Sequence, residues 1–322
     1  MSATTIGFSL SGVNQIDALL SPDQQKWAGT SNAGVTLTFS FPYSDSPFPY
    51  FASGYSAEPS NQPSGFNTAQ IAAATDALQA WANVAALTFN RVVEDGSDAV
   101  GDIRFAFSSL ATTAYARYPG NYPGAGDTWW SIDNFKSYNF LSRTDYAFQS
   151  LLHEIGHTLG LKHPGNYGSS LPPFLNDPTL DNRSKTVMAY SDEGANNFYV
   201  KYLDANGRWA SSYIYPSTPT ILDIQAIQYL YGPNLSYKAG DDIYEYDPNT
   251  PFFKTIWDAG GVDCIDVSNF TTSCDIDLTA GQYSSLGFLP ATDTSAGPPT
   301  YDGTDNLGIA LNCTIENANG GS

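Results

Sequence analysis

Histidine and cysteine are scarce, with three of each in 322 residues. Three cysteines exclude a disulfide-rich mini-scaffold. Basic residues are few as well: 13 Lys plus Arg face 32 Asp plus Glu, for a net charge of −19. Such a surface repels phosphate backbones and argues against nucleic acid as a partner. Charged residues are only 14% and apolar residues 42%, which excludes a disordered chain. No run approaches the roughly 20 apolar residues of a membrane span. Met1 to Leu10 has neither a basic start nor a long apolar stretch, so it does not read as a Sec signal peptide. The length suggests one large domain or two. The acidic surplus suits a protein that holds cations such as calcium through carboxylates.

Two styles of patterning follow one another along the chain. Asn14 to Leu20 reads as a short helix, and Val35 to Phe41 alternates with period two as a half-buried strand. Phe41 to Gly65, rich in Pro, Ser and Tyr, reads as a surface loop. Asn67-Thr68-Ala69-Gln70 carries a capping-box pattern that opens a helix to about Ala85. Strands are expected at Thr88–Val93, Asp102–Phe107, Ala114–Tyr118 and Thr128–Ile132, with Pro119 favouring an edge position for the third. Thr144 to Leu161 has an apolar stripe at helical spacing, with Gly160 suited to end it. A loop from Pro164 to Asn182 and a helix from Pro219 to Tyr231 come next. After Asn234, short strands alternate with Gly/Asp turns, at Ile243–Tyr246, Ile265–Val267, Ile276–Leu278 and Ile309–Leu311. A boundary therefore falls between 1–234 and an all-β unit at 235–322.

All three histidines lie within His153-Glu154-Ile155-Gly156-His157-Thr158-Leu159-Gly160-Leu161-Lys162-His163. His153 and His157 are four apart, so their imidazoles leave one helix face and can share a metal. Gly160 lets the chain turn so that His163 can return as a third ligand. Three neutral nitrogens with a fourth position left for water make an open, catalytic zinc site rather than a closed structural one. Glu154 can take a proton from the activated water. Three unrelated histidines on an amphipathic helix would not require this spacing, the adjacent Glu or the turning Gly. The string, with Met188 in Val187-Met188-Ala189-Tyr190 downstream, resembles the metzincin signature and its Met-turn.

Pro164 directly after the third histidine, in His163-Pro164-Gly165-Asn166-Tyr167, makes the resemblance more specific. It looks like the serralysins, bacterial calcium-dependent metallopeptidases of the peptidase M10 family. Asp223 to Gly232, Trp257-Asp258-Ala259-Gly260-Gly261 and Thr314 to Ala318 are similar to their later segments. The resemblance implies an α+β fold: a metzincin zinc-peptidase domain with a twisted, mostly parallel sheet, then the start of an all-β calcium-binding β-roll. It implies one zinc on His153, His157 and His163, with Glu154 as general base. Tyr190 would ligate zinc at rest and swing off to hydrogen-bond the oxyanion. Met188 would floor the site, and Ala114, Tyr115 and Ala116 would bind an extended substrate by backbone pairing. Expected partners are proteins and peptides, with a proteinaceous inhibitor a further one. The protein would be a secreted, extracellular monomer exported by type I secretion.

About two calcium ions are implied. One would use backbone carbonyls of Lys238, Gly240 and Asp242 (or the Asp242 side chain) with Asp258, Gly260 and Asp263. The other would use Gly261, Asp263, Thr314 and Glu316. Oxygen-only sets of this kind suit calcium. The chain departs from the pattern in carrying Asp242 where serralysins usually show threonine, in carrying Cys264, Cys274 and Cys313, and in stopping at Ser322, where further repeats are expected. Cys274 and Cys313 share a sequence register, so a disulfide between them is one alternative to free thiols. The rival functional reading is a calcium-dependent surface or adhesion module on a non-catalytic peptidase fold.

Overall fold

A computed structural model of the chain describes residues 3–29, 34–42, 57–94, 100–138, 145–168, 170–191, 199–203, 206–288 and 301–320. The centre of the first part is a five-stranded sheet. Its strands are β3 (Val35–Ser40), β4 (Leu87–Arg91), β5 (Ile103–Ser108), β6 (Ala114–Ala116) and β7 (Asp127–Ser131), in the order β4-β3-β5-β7-β6. All pairs are parallel except β6 with β7. Every residue of β5 and β7 is buried, as expected of strands covered on both faces. β6 closes the sheet as an edge strand of intermediate burial.

Helix α2 (Thr68–Val84) begins with the expected capping box: Gln70 N–H donates to Asn67 Oδ1 at 2.9 Å, and Asn67 N–H to Gln70 Oε1 at 2.8 Å. Its buried Trp81 donates its indole N–H to the Leu152 carbonyl, 3.1 Å away. That bond locks α2 to α4 (Tyr146–Thr158), the helix that carries the first two histidines. Thr144, where this helix was expected to start, lies outside the described residues, as do positions 43–56 of the expected Pro/Tyr-rich loop. Among the described residues the remaining α-helices of this part are the single turns α1 (Asn14–Asp17) and α3 (Ile132–Phe135), and α5 (Ile221–Tyr231).

Helix α1 is shorter than Asn14–Leu20. Asp17 instead accepts the Ser11 and Gly12 N–H groups, at 2.7 and 3.0 Å. The freed residues beyond it form an isolated bridge, Leu20 to Leu161, just ahead of His163. The buried Lys162 ammonium fastens the same place, donating to the carbonyls of Ala18 (2.6 Å) and Pro173 (2.7 Å). Two antiparallel pairs were not foreseen: β1 (Thr5–Gly7) with β2 (Gln25–Trp27), and β8 (Tyr199–Leu203) with β9 (Trp209–Tyr213).

From Asn234 onward the described residues form strands and turns only. β10 (Ile243–Glu245), β12 (Cys264–Asp266) and β16 (Asn317–Asn319) make a parallel sheet of three short strands. β11 (Lys254–Ile256), β13 (Cys274–Asp275), β14 (Tyr283–Leu286) and β15 (Leu307–Ile309) make a mixed one. The strands expected at Ile276–Leu278 and Ile309–Leu311 lie two residues earlier, at β13 and β15. All three cysteines are free; Cys274 faces Leu286 across its sheet, and Cys313 lies buried beyond β15. One hydrophobic cluster runs from Ile16 through Ile227 to Ile315, so the roll packs on the sheet-and-helix part. No described helix is long and apolar enough to cross a membrane.

Candidate active site

Asp145 caps α4, its carboxylate accepting the Phe148 N–H at 2.9 Å. The helix then carries His153 and His157 on one face and ends at Thr158. Gly160, at φ +99°, takes the conformation that a β-carbon disfavours. The chain reverses there, with Leu161 N–H bonded back to the Gly156 carbonyl at 2.9 Å. His163 is thereby returned to the helix face.

Backbone carbonyls set the orientation of two rings. His153 Nδ1 lies 2.8 Å from the Val187 carbonyl, and His157 Nδ1 lies 2.7 Å from the Leu161 carbonyl. A carbonyl only accepts, so both Nδ1 atoms carry the proton, and each Nε2 presents a lone pair. Both Nε2 atoms point at His163 Nε2, each 3.1 Å away. One proton cannot satisfy all three nitrogens, whereas a cation between them can. The separation fits a tetrahedral ion bonded at about 2.0–2.1 Å to each nitrogen. Burial keeps the rings neutral, as ligation requires. It holds His153 well below the usual histidine range, and it lowers His157 to about 4 and His163 to about 3.

Glu154, beside His153, is buried, and its Oε2 has no hydrogen-bond partner. Burial pushes its carboxyl up to about 8. A carboxylate here has few ways to be solvated except by water or substrate at the histidine cluster.

Met188 is fully buried under the helix. A β-carbon on Gly156 would sit 2.6 Å from its sulfur, so the glycine between the two helix histidines is where the methionine packs. Its turn is held by Asp223 on α5. That buried carboxylate accepts the Val187 N–H (2.8 Å), the Thr186 hydroxyl (2.6 Å) and the Thr220 N–H (2.9 Å). Because the Val187 carbonyl also orients His153, α5 reaches the histidine cluster through one residue.

Tyr190 is 52% exposed and lies over the cluster, its ring centroid 4.3 Å from that of His163. Burial of its inner edge raises the phenol to about 12, so it remains an O–H donor at neutral pH. Its other face is stacked on Tyr167 at 4.9 Å and 18°. The Tyr167 hydroxyl donates to Asp181 and accepts the Tyr190 N–H at 3.3 Å. Neither Tyr167 nor Asp181 was assigned a role from the sequence, nor was Asp223. The only local signal was the place of Tyr167, four residues after His163.

The edge strand β6 borders the same cleft, which is lined by Ala114, Gln149, Glu154, Arg183 and Tyr190. Thr113 accepts from Ser131 N–H, and Arg117 N–H donates to Asp127. By antiparallel alternation Tyr115 also bonds inward to β7, which leaves the amide groups of Ala114 and Ala116 on the open edge.

In the roll, Asp242, Asp258 and Asp263 bring one carboxylate oxygen each to within 4.8 Å of the others. Asp263 is buried with Oδ2 unpartnered, and its carboxyl is raised chiefly by burial. Glu316 joins by accepting the Asp263 N–H at 2.8 Å. Gly261 is required because a β-carbon there would lie 2.3 Å from the Gly240 carbonyl oxygen. Gly260 donates to Asp258 at 2.8 Å. Lys238, at φ +48°, sends its ammonium to Asp242 at 2.8 Å and offsets part of the negative charge. Thr314 stands exposed between buried Cys313 and Ile315.

The mostly parallel sheet, the helix bearing two histidines and the methionine turn beneath them define a metzincin-type peptidase domain. Comparison with known proteins agrees with this class. Residues 55–199 match the matrixin family of peptidase M10, and residues 222–322 match the serralysin C-terminal family of peptidase M10. Serralysin C of Dickeya chrysanthemi is 34% identical over 341 residues, covering 99% of this chain and 64% of that protein. Serralysin of Proteus mirabilis is 33% identical, covering 93% of this chain and 60% of its own length. The metalloprotease AprA of Pseudomonas entomophila is 31% identical, covering 96% and 62%. The chain thus spans less than two thirds of the length of these relatives. Its two parts are thus similar, in order, to the matrixin domain and the serralysin C-terminal domain of peptidase family M10.

Proposed function

We propose that this chain is a zinc endopeptidase that hydrolyses peptide bonds in proteins. The observation that carries the reading is the convergence of three imidazole Nε2 atoms, 3.1 Å apart in two pairs, beside a buried and unpartnered Glu154 oxygen. His153, His157 and His163 would hold the zinc, which when bound supplies Lewis acidity to water and to the scissile carbonyl. Glu154 takes the proton from the attacking water and returns it to the departing nitrogen. Its raised proton affinity suits both halves of that exchange. Tyr190 would join the histidines in holding the metal and, when turned away, would hydrogen-bond the oxyanion, where charge develops only in the transition state. The substrate runs extended and antiparallel to β6, pairing with the open amides of Ala114 and Ala116.

The roll would hold one or two calcium ions on Asp242, Asp258, Asp263 and Glu316, with the carbonyls of Lys238 and Gly240 and the Gly260–Gly261 turn. Thr314 would complete the second. Extracellular modules bind calcium at about 0.1–1 mM, and a site of that class in this roll would fill outside the cell. The test is hydrolysis of an unfolded protein before metal removal, after it, and after zinc is restored. Activity should vanish and return. A folded, zinc-loaded preparation that cleaves nothing would sink the reading and favour a binding module.

A further inference from the structure

The roll grips the chain just ahead of the methionine turn. The Lys185 side chain is only 12% exposed, and its ammonium lies 3.6 Å from the centre of the Tyr283 ring on β14. The same ammonium is 3.1 Å from Oδ2 of Asp305, two residues before β15. The Tyr283 hydroxyl donates to the Ser184 carbonyl at 3.3 Å. Asp305 sits at φ +55°, a region that aspartate enters more readily than most residues. Its N–H donates to Ser285 Oγ at 3.0 Å, which fixes the carboxylate's place in the roll. Asp305 is 44% exposed, so water screens its share of the attraction. The ring face meets a mostly desolvated cation and carries the larger share.

We infer that Lys185 is a positioning residue for the histidine cluster: clamped by Tyr283 and Asp305, it ties the roll to the segment whose Val187 carbonyl orients His153. The inference rests on the proposed zinc site and adds to it a support from the C-terminal part of the chain. Lys185 faces the roll, so it acts through the backbone. Its carbonyl accepts the Thr220 hydroxyl at 2.5 Å and the Leu222 N–H at 3.4 Å. One residue on, the Thr186 hydroxyl and the Val187 N–H reach Asp223 at 2.6 and 2.8 Å. The segment from Ser184 to Val187 is therefore anchored to the roll at one end and to α5 at the other. Val187 then holds His153 Nδ1 at 2.8 Å. Without the roll anchor, the α5 anchor must hold a segment free to pivot about it, and the His153 ring inherits that freedom.

The experiment uses the full chain at one fixed calcium concentration. Lys185→Met keeps the apolar stem and removes the charge, whereas Lys185→Arg keeps a cation that can stack on a ring. Phe270→Leu, in the core of the roll, lowers stability without touching the clamp. The first readout is zinc release to excess chelator. Loss of a group that orients a ligand costs about 10–100-fold in metal affinity; Lys185 acts one step further out, so Lys185→Met should release zinc about three- to tenfold faster. Lys185→Arg and Phe270→Leu should match the parent. The second readout is amide hydrogen exchange at Val187 in the zinc-free proteins, which reports local opening of the segment. It should quicken in Lys185→Met and in neither of the others. Should Lys185→Met fail to fold, Tyr283→Leu removes the clamp from the roll side and is read in the same two ways. Parental zinc release and parental Val187 exchange in the clamp variant would overturn the inference. An equal change in Phe270→Leu would overturn it too, since the effect would then be one of stability. If the parent holds no zinc, the zinc reading fails instead, and Val187 exchange decides the clamp by itself.

Discussion

Alanine at Gly156 should make this protein less stable, although the residue lies in a helix, where alanine is normally the better choice. Helix propensity alone favours Ala over Gly by about 1 kcal/mol. Against that, the new β-carbon would stand 2.6 Å from Met188 Sδ, 3.4 Å from its Cε and 3.3 Å from the Trp81 ring. Met188 and Trp81 are both fully buried, so the thioether cannot retreat into solvent. Overpacking of this kind costs about 1–3 kcal/mol, so a net loss of up to about 2 kcal/mol is expected. Met188→Ala alone empties a buried site and should cost about 2–5 kcal/mol. In the double variant the methyl added by Gly156→Ala occupies space the sulfur has left, so the combined cost should fall short of the sum by about 1 kcal/mol or more. Denaturant unfolding of the zinc-loaded proteins measures all four corners of the cycle, and chelator competition measures zinc affinity alongside. Gly156→Ala should also weaken zinc binding, because the displaced methionine lies beneath the two helix histidines. A single variant as stable as the parent or more so, with additive energies in the double, would refute the packing argument.

Other outcomes follow from the same geometry. Tyr167→Phe keeps the ring stacked on Tyr190 but removes the hydroxyl that accepts the Tyr190 N–H. It should lower kcat by about three- to tenfold, the scale of one hydrogen bond, with KM and zinc affinity little changed; a KM effect alone would contradict a positioning role. In the metal-free protein, burial raises Glu154 from about 4.5 to about 8. The folded state thus holds that proton more tightly than the unfolded one, and the contribution is complete below about pH 4.5. It is then lost as pH rises towards 8, by at most about 1.4 kcal/mol per pH unit. Glu154→Gln should remove the decline, so the stability gained by the variant over the parent should grow across that window in urea titrations. Calcium should raise the unfolding free energy by about 2.7 kcal/mol at a hundredfold excess over its Kd. Asp263→Asn, which can still accept the Asp242 N–H, should lose most of that gain in melts with and without calcium.

The sequence was most readable where local chemistry and tertiary structure agree. The capping box at Asn67, the apolar stripe of α4 and the turn at Gly160 all act within a few residues, and each element formed close to its expected bounds. The histidine cluster belongs here too, since helical spacing alone unites His153 with His157. What escaped depends on contacts across long stretches of chain. Asp223 reaches Val187 over 36 positions, and nothing in its own neighbourhood marks it as a support for a histidine on another helix. Tyr167 meets Tyr190 only because the loop after His163 folds back over the site. The β8–β9 hairpin was missed because Tyr199–Leu203 and Trp209–Tyr213 lack a clean alternation of apolar and polar residues and a Gly-bearing two-residue turn. In the roll, strands of two to four residues are too short to show a period, so they were placed a residue or two off or missed, as at β14 and β16. Helix α1 ended early because the residues after it pair with the chain at Gly160–Lys162, a long-range contact that nothing local announces.

The central claim is that Glu154 moves the proton at a histidine-held zinc. The most direct measurement is peptide hydrolysis by Glu154→Gln protein whose zinc content has been determined in the same preparation. Gln keeps the volume and the hydrogen-bonding oxygen but cannot take a proton. The account predicts one zinc retained per chain and kcat reduced by about 10²–10⁴, the usual scale of general acid–base catalysis. A variant that keeps both its zinc and its rate would contradict the account.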